Sequence, residues 1–281
     1  MKVKKILSII VITILCAGKI NSQTSAADLP VSGAQIDTLT IMTYNLWKRE
    51  YRQHAEIMRT SGADIIAVQE ILGFGKRNFN VLRRETGLKG KMRATINVMG
   101  IFRYGIALLW NEERLGKPIA VRAYRIRTPK DNDDPRRAYI VAEFNDFIVI
   151  STHISTNVDE NKKTIEAILR KDFIVNYRKP VIIAGDLNPR PRGGIPRESD
   201  GFETITALKA EGFEMLNNTD RNDPEFLAKH ATTQGGGQPD LILWLNQNPN
   251  REIIDRGVPE NADRTFTISD HLPYVVKVRI R

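Results

Sequence analysis

Asp186 and Asn188 close the run Val181-Ile182-Ile183-Ala184-Gly185-Asp186-Leu187-Asn188, and their spacing is the first sign of chemistry in the chain. Three branched apolar residues predict a short buried strand, and Gly185 permits a turn or a close backbone approach at its end. In an extended chain, side chains two apart point the same way, so this carboxylate and this amide face one cleft. Alone, the pair is a strand end with an Asx-type turn. Six further residues repeat the pattern. Asn45, Glu70 and His153 end apolar runs, Asp240 starts one, and Asp270 and His271 lie just before another. Four carboxylates and two imidazoles meeting in one crevice would repel or desolvate badly without a cation and hydrogen bonds. An oxygen-rich set without thiolate suits magnesium or manganese, with calcium as a further option, better than zinc. The chemistry such a set serves is attack of water on an anionic ester. Water must be activated in line, and the departing oxygen needs a Lewis acid or a proton.

The elements that must carry these residues are legible as periods. Residues 38–44 and 64–70 read as strands, the second apolar on both faces and therefore covered on both sides. Residues 93–98 and 104–110 are strands, 118–127 are extended, and 137–144 with 147–153 form a hairpin across Asn145-Asp146. Residues 240–245 and 274–280 complete the strands, the latter with alternating Val276, Val278 and Ile280. Helical spacing covers 51–61, closed by Gly62, then 76–85, 201–212 and, longest of all, 159–177 with the stripe Ile165, Ile168, Leu169 and Phe173. Residues 217–238 read as a long polar loop. Strands outnumber helices and strict alternation is absent. This predicts two mixed sheets packed face to face with helices outside. No internal repeat and no break in composition divides the domain.

Composition sets the outer bounds. Lys2, Lys4 and Lys5 precede an apolar run from Ile6 to Ala17, which is signal-peptide length and short for a membrane span. The expectation is a signal peptide over residues 1–23, a flexible leader over 24–36 and one domain over 37–281, secreted or periplasmic. Cys16 is the only cysteine, so the mature chain has no disulfide and no thiolate zinc site. The net charge of +9, less Lys2, Lys4, Lys5 and Lys19, leaves +5, which suits a polyanionic partner without requiring one.

With these residues in place the chain resembles the endonuclease/exonuclease/phosphatase superfamily, which has the deoxyribonuclease-I-like fold. Pancreatic-type deoxyribonucleases, abasic-site endonucleases, inositol-phosphate phosphatases and bacterial sphingomyelinases belong to it. Thr43-Tyr44-Asn45-Leu46-Trp47, Val68-Gln69-Glu70, Ser151-Thr152-His153, Ala184-Gly185-Asp186-Leu187-Asn188, Pro239-Asp240 and Ser269-Asp270-His271-Leu272-Pro273 carry the likeness, in family order. The resemblance implies an α/β fold, a four-layer α/β/β/α sandwich of two mixed β-sheets flanked by helices. It implies Glu70 as the principal metal carboxylate, with Asn45 beside it and Asp270 able to share the ion. It implies His271, paired with Asp240 or Asp270, as the group that polarises water or serves as acid-base. Asp186 would orient or deprotonate that water, and Asn188 and His153 would hold the scissile phosphate. Arg137 falls where the deoxyribonuclease pattern has a phosphate-contacting arginine. The acid that pairs with the first histidine in that branch has no counterpart in Phe102-Arg103-Tyr104-Gly105.

The leading expectation is therefore a secreted, metal-dependent nuclease acting on DNA, with RNA as an extension. Arg136, Arg137, Arg190, Arg192 and Arg197 are available to track a phosphate backbone. A sphingomyelinase-like or inositol-phosphate diesterase or phosphatase is the alternative, and a non-catalytic binding protein on the same fold is the third reading. No protein partner is expected. His54 and His230, outside the motifs, read as surface residues.

Overall fold

The computed structural model describes residues 36–47, 50–72, 75–96, 103–126, 137–156, 158–176, 178–189, 202–220, 222–245 and 251–280. The expected signal peptide and nearly all of the leader lie outside the described residues. So do Arg136, Arg190, Arg192, Arg197 and Phe102.

In chain order the elements are β1 (Thr38–Asn45), α1 (Tyr51–Thr60), β2 (Ile65–Gln69), α2 (Gly75–Thr86), β3 (Lys89–Ile96), β4 (Arg103–Trp110), α3 (Glu112–Leu115), β5 (Ala120–Arg125), β6 (Ala138–Glu143) and β7 (Ile148–His153). Then follow α4 (Val158–Leu169), α5 (Asp172–Val175), β8 (Val181–Asp186), α6 (Phe202–Ala210), β9 (Glu214–Met215), α7 (Phe226–Lys229), β10 (Asp240–Leu245), β11 (Arg251–Gly257) and β12 (Tyr274–Ile280).

The strands form two sheets of six, ordered β11-β12-β1-β2-β4-β3 and β5-β6-β7-β8-β10-β9. Each sheet has one central parallel pair, β1 with β2 and β7 with β8, and antiparallel neighbours on either side. Alternation sends one row of each strand into the space between the sheets. Leu39, Ile41, Ile65, Ala67, Val149, Ile182, Ala184, Ile242 and Trp244 fill it. The opposite rows meet the helices. Met42, Tyr44, Ile66 and Val68 pack with Tyr51, Ala55 and Met58 of α1 and Phe79 and Leu82 of α2. Ile150, Ile183 and Leu243 pack with Ile165 and Ile168 of α4 and Ile205 and Leu208 of α6. Three apolar layers separate four layers of secondary structure, as the periods imply.

Three expectations need correction. The long helix over 159–177 ends at Leu169, because Lys171 N–H bonds back to Ile168 and Ile174 N–H to Lys171, tight turns that restart the chain as α5. The loop over 217–238 contains α7. His54 and His230 are buried rather than on the surface, each bonded through Nδ1 to a tyrosine hydroxyl, that of Tyr44 at 3.0 Å and that of Tyr274 at 2.9 Å. A polar ring can be interior once such a partner satisfies it.

Candidate active site

The inward rows explain why the polar residues meet. Asn45 extends the row Leu39, Ile41, Thr43. His153 extends Val149 and Ser151, Asp186 extends Ile182 and Ala184, and Asp240 precedes Ile242 and Trp244. Register places them side by side: His153 is opposite Asp186, and Asp186 is opposite Asp240. Both parallel pairs point the same end at this crevice, and the antiparallel β10 and β12 begin there. Ligands in open α/β sheets bind at such carboxyl ends. The inward rows thus turn from apolar to polar toward this end of the sheets, Thr43 and Ser151 preceding Asn45 and His153.

Backbone strain collects at the same place. Trp47, Glu70 and Asn188 have φ values of 44°, 55° and 39°, in the left-handed region that side chains disfavour. Glu70 follows β2 directly, and this turn takes its carboxylate out of the strand's alternation. Gly185 serves a different need. A Cβ there would lie 2.0 Å from the Thr152 carbonyl oxygen, so only glycine lets β8 pair with β7 at this point.

Hydrogen bonds join the set into one network. Asn45 Nδ2 donates to Glu70 Oε1 at 3.1 Å and to Asp186 Oδ2 at 3.0 Å, and its Oδ1 accepts from Trp47 N–H. Asn188 N–H donates to Asp186 Oδ1 at 3.0 Å. Asn188 Nδ2 donates to the Ile154 carbonyl at 2.9 Å and meets His153 Nε2 at 3.3 Å. The carbonyl needs a donor, which fixes the amide's orientation and makes His153 Nε2 the acceptor. His153 Nε2 also lies 3.5 Å from Asp186 and 3.8 Å from Glu70. His271 Nδ1 donates to Asp240 Oδ2 at 2.7 Å, which turns Nε2 toward Asp186 at 3.9 Å. Thr232 Oγ1 donates to the same Asp240 oxygen at 2.7 Å. Ser269 Oγ donates to the Asn45 carbonyl and accepts from His271 N–H, tying the last loop to β1.

Burial governs the charges. It pushes Glu70 up to about 7, partly opposed by the Asn45 bond and reinforced by Asp186. It pushes Asp186 up to about 6. Burial, then the charges of Arg137 and His271, hold His153 well below its ordinary value, consistent with a neutral ring accepting from Asn188. Burial alone would lower His271 as well, but the Asp240 charge and hydrogen bond, then Asp186 and Asp270, raise it to about 10.

The residues fit a hard divalent cation. Glu70 Oε2 is buried without a hydrogen-bond partner, an expensive state for a carboxylate oxygen unless a cation meets it. The Asn45 amide sits beside it, and the exposed Asp270 is close enough for its charge to raise Glu70. A second grouping, Asp186, Asp240 and His271, also brings ligand atoms within 4.8 Å of one another. His271 Nδ1 there is committed to Asp240, so this group reads as an oriented histidine–aspartate pair.

The endonuclease/exonuclease/phosphatase family model matches residues 42–271. The chain belongs to this family. No curated protein matches the sequence. Among solved structures, the human Nocturnin catalytic domain with bound sulfate anion is similar at TM-score 0.64 and 14% identity, over 87% of this chain and 95% of that one. An endonuclease/exonuclease/phosphatase from Bacteroides vulgatus is similar at TM-score 0.62 and 16% identity, over 87% and 99%. A humanized D. rerio TDP2 is similar at TM-score 0.56 and 13% identity, over 86% and 99%. Members of the family are usually hydrolases of phosphodiester bonds and commonly use divalent metals.

All eight strand-end residues lie in this one crevice, and Arg137, buried at the start of β6, faces it closely enough to act on His153. Thr232, Ser269 and Trp47 belong to the site and were not singled out as site residues from the sequence. Trp47 stands in the family motif but is 42% exposed, unlike Trp110 and Trp244 in the strands.

Proposed function

We propose that the protein is a divalent-metal-dependent phosphodiester hydrolase, a nuclease acting on DNA and by the same chemistry on RNA. Its N-terminal segment would send it to the periplasm or beyond. The observation that carries the reading is the buried, partnerless Oε2 of Glu70 beside the Asn45 amide and the His271–Asp240 pair. Glu70, Asn45 and Asp270 would hold magnesium or manganese. Such an ion supplies Lewis-acid charge to a phosphoryl oxygen. Asp186, accepting from Asn45 and from the Asn188 backbone, orients a water and takes its proton. Asp240 and Thr232 fix the His271 ring, whose Nε2 serves as the acid-base group on the opposite side. Asn188 Nδ2 holds a phosphoryl oxygen in place of the longer of its two side-chain bonds, and His153, freed of that bond, holds the same oxygen by carrying its ring proton on Nε2. Arg137 adds positive charge behind His153.

The test is plasmid digestion with magnesium, paired with thermal unfolding with and without the ion. The protein cuts DNA, and magnesium at about 100 times its Kd stabilises the fold by about 2.7 kcal/mol. Glu70→Ala loses both responses, whereas His271→Ala loses cutting and keeps the thermal shift. Wild-type protein without either response overturns the reading. Exposed Trp47 is the one observation favouring a lipid diesterase, because an apolar rim residue can enter a membrane. The other exposed large apolar residues among those described, Ile119, Val175, Leu227 and Ile254, belong to four other segments of the chain. Phosphocholine release from liposomes, with DNA left intact, would reverse the order of the two readings.

A further inference from the structure

Helix α2 and the edge strand β3 enclose a groove of about 340 Å³ outside the crevice. Lys76, Phe79, Asn80 and Arg83 line it from the helix, at spacings that form one stripe. Lys91 and Met92 line it from the strand. Phe79 is buried at the floor, and the Arg83 guanidinium sits 5.8 Å over its ring. Arg83 Nε is buried without a hydrogen-bond partner.

Several cations on the described surface pair locally: Arg59 with Glu56, Arg84 with Glu85, Arg170 with Glu166, Lys229 with Glu225. Lys76, Arg83 and Lys91 instead face a concavity with no carboxylate in its lining among the described residues. Lysines on an edge strand also deter pairing with another sheet, which accounts for Lys91. That role does not account for two cations on the facing helix, one of them with its Nε buried and its guanidinium over an aromatic ring. Along α2, Lys76 and Arg83 are about 10 Å apart at ~1.5 Å per residue. A strand laid along this stripe would bring successive phosphates past these cations.

The groove starts at the catalytic end of the sheet. Lys76 follows Glu70 by six positions, and the Tyr51 hydroxyl pins the link by bonding both the carbonyl and the N–H of Leu72. Ala94, at the same end, pairs with Gly105, whose carbonyl accepts Ile71 N–H at 2.9 Å. Gly90, at the other end of the lining, pairs with Leu109, further down the sheet.

We propose that the α2–β3 groove is a track for the sugar–phosphate backbone of a nucleic-acid strand leaving the catalytic crevice. This rests on the nuclease reading above and names a second place where that substrate is held. Lys76, Arg83 and Lys91 each neutralise a phosphate, and the apolar floor lies under the sugars.

Binding is measured with EDTA present, so that no strand is cut. The readout is the anisotropy of a labelled oligonucleotide of about 30 nucleotides, single-stranded or duplex, from about 50 to about 200 mM salt. In Lys76→Ala/Arg83→Ala/Lys91→Ala the slope of log affinity against log salt becomes shallower by about 2 for a single strand and about 2.7 for a duplex. The same variant keeps wild-type kcat/KM on a small chromogenic diester, which does not reach the groove. Lys162→Ala/Lys163→Ala, on exposed positions of α4, leaves the slope unchanged. An unchanged slope in the groove variant overturns the proposal, and so does an equal loss per charge in the α4 variant. Loss of binding to anionic phospholipid vesicles with oligonucleotide binding intact also overturns it, in favour of a membrane. Diester hydrolysis reports separately on the catalytic reading: an inactive protein with a groove-dependent slope refutes that reading and keeps the track, and an active protein without the slope does the reverse.

Discussion

Asp240 is fully buried, and one of its oxygens takes both the His271 Nδ1–H and the Thr232 hydroxyl. Asp240→Asn keeps the shape but offers a less basic oxygen or an N–H to a ring that must donate there. The expected outcome is a fall in kcat/KM on a chromogenic diester by about 10²–10⁴, the range of acid-base contributions. Thr232→Val removes one of two bonds to that oxygen and lowers the rate less, by about tenfold, for a lost bond near 1–1.5 kcal/mol. Trp47 offers a second case. It is exposed at the rim of the crevice and held in a disfavoured conformation by its N–H bond to Asn45. Trp47→Gly relieves that strain and removes a surface on which a base can stack. Melting temperature holds or rises, while KM for oligonucleotides increases about tenfold or more and KM for a small diester does not change. The strand-end acids and histidines were legible because a charge ending an apolar run needs a reason to be there. Thr232 and Ser269 were not, since a hydroxyl in a polar loop looks like any turn residue until its partner is known. His54 and His230 were misread for the same cause: the tyrosines that satisfy them lie 10 and 44 positions away.

At the scale of elements, period carried most of the information. β1, β7, β8 and β10 stand out as apolar runs that end or begin on a polar residue, so the strands and the end bearing the site follow from the residues alone. β11 did not announce itself, because Ile253 and Ile254 are adjacent between charged residues, and a register shift interrupts its pairing with β12. The close pairing of β7 and β8 at Gly185 gives a test. In Gly185→Ala the added methyl meets a neighbouring strand's carbonyl rather than a mobile side chain, so the strands must part. Denaturant unfolding is expected to show a loss of about 1–3 kcal/mol. Activity falls further than stability, because Asp186 is the next residue and its contacts with Asn45 and the Asn188 backbone shift with the strand.

For the whole molecule, stability is coupled to pH through interior histidines. Burial lowers the pKa of His230 below its ordinary 6.5, with Asp223 opposing part of the effect. Below about 6.5 the unfolded chain therefore binds a proton that the native chain does not, and stability declines as pH falls through that window; above it the contribution is complete. His153 shifts in the same direction, and His271 in the opposite one. Comparing wild type with His230→Gln cancels both. Between about pH 7 and pH 5 the melting temperature falls less steeply in the variant. An equally steep fall would mean that His230 titrates alike in both states. The layered architecture could be read from the sequence because two-sided apolar strands and one-sided helices leave few ways to stack. The order of strands within each sheet could not, because it depends on pairings between distant segments. That order has its own effect on when the molecule becomes competent. β12 is the last described strand in the chain, yet it lies inside the first sheet between β11 and β1, and the loop before it delivers Asp270 and His271 to acids on strands far earlier in the chain. A fragment ending before Tyr274 lacks that seam and leaves the His271–Asp240 pair unanchored, so the crevice is assembled only once β12 has docked beside β1.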